Sequence, residues 1–159
     1  FFILLIPFFF GRLGVKWMIA IGMIAWMLRF LLFGYGNADA GLWMLFAGII
    51  LHGICFDFFF VTGQIYTDNK AGLSIQSQAQ GMITMATYGI GMWIGTLLSG
   101  YVKEIYTANN IVDWKSVWMV PAAIAAVVFL LFVLLFKDNR KPAIAEPEAE
   151  KGLAQTRLT

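Results

Sequence analysis

Residues 41–66, GLWMLFAGIILHGICFDFFFVTGQIY, form a run long and apolar enough to cross a lipid bilayer. A spanning helix needs about 20 predominantly apolar residues. Inside lipid no water satisfies the backbone, so only helices or closed barrels cross it. Yet this run carries His52 and Asp57 near its middle. A carboxylate at mid-span costs roughly 2.5–3.5 kcal/mol on insertion scales, and more in simulations. Such a residue normally faces a water-filled cavity or a partner charge, so Asp57 is the first functional candidate.

The rest of the chain has the same character. Apolar residues make up 60% of it and charged residues 13%, against about half and a quarter in soluble domains. The net charge of +2 gives no reason to expect a nucleic-acid partner. Further spans are expected at 17–35, 79–106 and 117–136, with 42–66 the central one, and no β-sheet is expected. The chain opens at Phe1 inside the apolar run FFILLIPFFF, with no initiating Met and no signal-peptide pattern. Residues 1–10 thus read as the end of a helix that starts upstream, and the whole as a C-terminal fragment.

Between the spans, GRLGVK is expected to make a tight turn through Gly11 and Gly14, and 71–77 a short loop. Pro121 falls in the first turn or so of the last expected span, where proline is tolerated. The domain expectation is a transmembrane bundle over 1–137 and a charged, disordered tail over 138–159. Arg12, Lys16, Lys70, Lys137, Arg140 and Lys141 fall at alternate connections, which places those ends and the C-terminus in the cytoplasm. Lys103 and Lys115 lie on the other side, beside Glu104 and Asp113. Trp17, Trp43, Trp114 and Trp118 sit near span ends, as an interfacial belt requires.

Arg29, His52 and Asp57 are polar, titratable or charged residues that lie deep inside spans. In a regular helix Gln64, at i+7, shares the face of Asp57, with Phe60 between them, while His52 and Phe56 form an adjacent i, i+4 stripe. That surface suits a ligand with a stacking ring and hydrogen-bonding groups, or a proton relay. The alternative for Asp57 is a structural ion pair with Arg29, although the two lie in opposite halves of the membrane. His52 alone also fits a packing role. The spacing of His52, Cys55 and Asp57 matches no standard metal site, so no metal or cofactor is expected. Lone Cys55 allows no internal disulfide. Gly91 and Gly95 form a GxxxG pair, continued by Ser99, that lets helix backbones approach closely, so helix packing is their expected role. Thr84, Thr87 and Tyr88 are weaker candidates for a cavity wall.

The strings LHGICFDFFFVTGQIY, SQAQGMITMATYGIGMWIGTLLSGYV and DWKSVWM resemble the C-terminal part of the bacterial nucleoside:proton symporters of the major facilitator superfamily. GRLGVK and WMIAIGMIAWMLRFLLFGYG fit the same pattern, and the resemblance runs from Phe1 to about Phe136. It implies an all-α integral membrane protein comprising the end of helix 8 and helices 9–12 of a twelve-helix fold. It further implies a transporter, not an enzyme, in the cell inner membrane, with a nucleoside and a proton as partners. The other partners implied are the bilayer and the missing N-terminal helices of the same protein. The family's Phe-Asp pair in helix 10 carries over onto Phe56 and Asp57, for nucleoside binding and proton coupling. The family position one turn earlier can be tyrosine and is His52 here. The alternatives are a major facilitator carrier for another solute, such as a sugar or drug, and a structural membrane subunit.

Overall fold

A computed structural model describes residues 6–137. Residues 1–5 and the expected tail at 138–159 lie outside the described part. Four helices long and apolar enough to span a membrane run over Arg12–Tyr35, Leu42–Ala71, Gln76–Ile105 and Trp114–Leu135. The first belongs to α1 (Ile6–Tyr35), which is broken at Gly14, where φ is 72°. Only glycine takes that conformation freely, so the expected turn shrinks to one residue between two helical stretches. The second joins α2 (Leu42–Cys55) to α3 (Thr62–Ala71) through a π-helical turn, Phe56–Val61. The third joins α4 (Gln76–Thr84) to α5 (Met92–Ile105) through another, Met85–Gly91. The fourth is α6 (Trp114–Leu135).

The expectation of no sheet needs one correction. Strands β1 (Thr107–Ala108) and β2 (Ile111–Val112) pair antiparallel in the connection before α6. Between them Asn109 and Asn110 both have positive φ, 50° and 63°. Positive φ at both central residues is the two-residue hairpin turn that matches strand twist, and Asn accepts it readily. The ladder stays outside the spans. Asp113 then caps α6, accepting from the Ser116 amide at 3.3 Å and from its hydroxyl. A cap satisfies a donor that the first helical turn leaves unpaired. Because α6 starts at Trp114, Pro121 lies two turns inside it rather than in the first turn. It removes an amide from the helix ladder at that point.

Helix α1 is the packing centre. It touches α2 on one side and α6 on the other. Met18 is wholly buried and Phe58 nearly so, with Phe9, Leu13, Ile21, Ile54, Val61 and Ile65 around them. In lipid the gain comes from close packing rather than from water release. Helix backbones approach closely at Gly22, where a Cβ would lie 2.9 Å from the Phe59 amide nitrogen. The α1–α6 seam is aromatic at one end, where Trp118 meets Phe33 at 5.1 Å and Phe30 at 6.0 Å. At the other end Lys16 Nζ donates to the Val133 carbonyl at 2.8 Å. A cation there complements the partial negative charge of the α6 C-terminus. The start of α1 and the end of α6 therefore share one side of the slab.

Candidate functional site

The α1–α2 register decides which polar residues meet. Leu45 faces Gly36, the Phe33 ring faces Gly48, and the Phe59 backbone faces Gly22. Each step back along α1 is matched by an equal step forward along its partner. The same register sets Arg29 opposite His52, and Arg29 Nη1 donates to His52 Nδ1 at 2.9 Å. Asp57 lies five residues further on, about 7.5 Å along the axis at 1.5 Å per residue. In this structure the Arg29 guanidinium meets His52 and the Phe33 ring, at 5.2 Å, rather than Asp57.

Asp57 sits in the first π-turn, where the Thr62 amide donates to the Asp57 carbonyl, five residues back. Its side chain is half-buried, and among the described residues its carboxylate makes no hydrogen bond or ion pair. The wide turn also changes which residues share its face. An i→i+5 turn holds an extra residue, so later residues lag by up to one helical step, roughly 100°. Gln64 is therefore not aligned with Asp57 as a regular helix would align it. Instead the Gln64 carbonyl accepts from Gln80 Nε2 at 2.8 Å, and Asp68 accepts from the same nitrogen at 3.2 Å. These bonds join α3 to α4 near the ends of their spans.

Next to Asp57 runs an aromatic ladder. Phe56 is 39% exposed, with its ring centroid 6.3 Å from His52 and 5.3 Å from Phe60. Phe60 stacks on Tyr88 of the second π-turn at 5.6 Å and touches Trp26 at 6.0 Å. His52, Phe56 and Asp57 thus present an imidazole, a ring face and a free acceptor along one stretch of span. Tyr88 joins them, whereas the Thr87 hydroxyl is spent on the Ile83 carbonyl at 2.7 Å. Sequence reasoning missed both π-turns. No periodicity marks the turns, since the helix continues on either side.

The glycine pair behaves differently from Gly22. A Cβ at Gly95 would find nothing within 4 Å, and one at Gly91 only its own helix, at the Ala86 carbonyl. Among the described residues no helix packs on this pair. Gly95 and Ser99 instead border an apolar cavity of about 560 Å³ between α1, α5 and α6. That cavity touches none of His52, Phe56 and Asp57, and its lining lacks a carboxylate. This cavity therefore lies apart from the titratable groups of the candidate site, which rests on the polar and aromatic side chains. Among the described residues no three His, Cys, Asp or Glu side chains converge to hold a metal.

Comparison with known proteins places this arrangement in context. The chain is 41% identical over 137 residues to the nucleoside permease NupG of Escherichia coli K12, covering 86% of this chain and 33% of that one. It is 36% identical over 142 residues to the xanthosine permease of the same organism, covering 89% of this chain and 34% of the relative. It therefore spans about a third of the length of the curated relatives it matches. The crystal structure of NupG superposes with a TM-score of 0.80 at 40% identity, over 87% of this chain and 34% of that one. With that match the architecture is the C-terminal helices of a major facilitator transporter, a multi-pass membrane protein. The family model described as nucleoside H+ symporter covers residues 1–141, and the chain belongs to that family.

Proposed function

We propose that the protein carrying this chain moves a nucleoside into the cell together with a proton, by alternating access across the inner membrane. The observation that carries this reading is Asp57: a carboxylate on a π-turn at membrane depth, without a protein partner among the described residues, beside an exposed phenylalanine. A free carboxylate in that place accepts hydrogen bonds from ribose or base and takes up a proton. Phe56 offers its face to the nucleobase, and His52 supplies a further polar contact. Both named relatives are permeases whose names specify nucleosides, which supports this substrate class. Binding at mid-membrane between two halves that rock suits the transporter architecture.

The same proposal sets orientation and assembly. The basic side of the slab, with Lys16, Lys70 and Lys137, faces the cytoplasm, and so does the C-terminus. Gly91 and Gly95 pack against a helix from the remainder of the transporter, since small residues at this spacing admit close backbone approach.

The test is uptake of labelled nucleoside by the full-length transporter in sealed vesicles, with an inward proton gradient. Gradient-dependent uptake that a protonophore abolishes is expected. Absence of nucleoside uptake, with sugar or drug uptake in its place, would overturn the substrate assignment. Membrane assembly without any solute flux would favour a structural subunit.

A further inference from the structure

The Arg29–His52 hydrogen bond constrains what His52 offers at the site. Guanidinium nitrogens only donate, so a bond from Arg29 Nη1 at 2.9 Å requires a lone pair on His52 Nδ1. The competing donor is the Cys55 thiol, 3.8 Å from Nδ1, which is closer to the His52 carbonyl at 3.2 Å. The shorter, charge-assisted bond takes the ring nitrogen. A neutral imidazole whose Nδ1 accepts carries its hydrogen on Nε2. The ring is exposed and lies beside Phe56, on the same stretch as the free Asp57 acceptor. The site therefore holds a fixed donor on His52 in addition to the Asp57 carboxylate.

We propose that Arg29 is a positioning residue: it fixes the His52 tautomer so that Nε2–H donates to an acceptor atom of the substrate, a base carbonyl, a ring nitrogen or a ribose oxygen. This inference rests on the site reading above. His52 by itself can present either a donor or an acceptor. With Arg29 behind it the choice is made in advance, and substrates with an acceptor at that position are selected.

Arg29→Met in the full-length transporter is expected to raise KM for nucleoside uptake about tenfold, the scale of one lost hydrogen bond, with Vmax within about twofold. Arg29→Gln, whose amide still donates to Nδ1, should keep KM near the wild-type value. In a His52→Phe background, Arg29→Met should add no further rise. Equal KM in Arg29→Met and wild type would overturn the proposal. So would the same factor in both backgrounds, which would mark a purely structural arginine. Should Arg29→Met fail to fold, the nitrogen-15 spectrum of histidine-labelled wild type decides, with His52 assigned through His52→Phe. A resonance pattern of Nε2 protonation supports the assignment, and Nδ1 protonation overturns it. Normal uptake by His52→Phe, Phe56→Ala and Asp57→Asn together would instead defeat the site reading itself.

Discussion

At the scale of single residues, groups that look alike in sequence take different positions. Arg29 and Asp57 carry opposite charges in neighbouring spans, but the helix register hands Arg29 to His52 and leaves Asp57 open. Phe56 and Phe58 are two residues apart, yet one is exposed beside the acid while the other fills the α1 contact. Phe56→Ala is expected to weaken nucleoside binding by roughly 1–3 kcal/mol, the range of aromatic–base stacking. Equilibrium binding to the purified transporter measures it, and unchanged affinity would remove the stacking role. Asp113 provides a check away from the site. Its hydrogen bonds from Ser116 hold the carboxyl below the usual carboxylate range, with Lys115 adding to the effect. A lowered folded pKa means that the cap contributes above the unfolded value and is lost as pH falls through the acid range. Asp113→Asn should therefore flatten the acid limb of a thermal-stability profile slightly, and an identical limb would show the cap to be idle.

At the scale of helices, the apolar runs were legible because a span must be long and continuous, and those limits are set by the bilayer. The hairpin before α6 had a local signal, Asn109-Asn110, that a reading centred on spans passed over. The π-turns had no such signal. Apart from Asp57, Phe56–Val61 is bulky and apolar, and the contact that meets it, Phe59 on Gly22, is tertiary. Gly22 itself was inconspicuous, with no small residue at i+4, while the conspicuous Gly91–Gly95 pair packs on nothing among the described residues. Spacing advertises a capacity for close approach, and the fold decides where it is used. Gly22→Ala places a Cβ against backbone, which cannot yield as a flexible side chain can. Overpacking of this kind costs about 1–3 kcal/mol. The detergent-solubilised Gly22→Ala transporter should melt at lower temperature than wild type, and an unchanged melting point would contradict the observed approach. Gly95→Leu should reduce folded yield or uptake only through helices outside this stretch.

At the scale of the molecule, the four spans differ in how much of themselves they cover. Arg12–Tyr35 is the most enclosed, whereas the most apolar window of Gln76–Ile105 has no buried residue at all. Gln76–Ile105 is also the least hydropathic of the four, and its threonines and glycines suit protein contact better than lipid. On the proposed reading the candidate site shares this one-sidedness: His52, Phe56 and Asp57 contribute from one helix, and the rest of the transporter would supply the facing groups. The central claim is that Asp57 couples proton movement to nucleoside movement. Asn is nearly isosteric, retains an acceptor and cannot exchange a proton. Labelled-nucleoside uptake into vesicles, compared with and without an imposed pH gradient, measures the coupling for wild type and Asp57→Asn at matched membrane levels. Asp57→Asn is expected to insert normally, to retain part of its nucleoside binding and to lose most gradient-driven uptake. Full gradient-driven uptake by Asp57→Asn would contradict it.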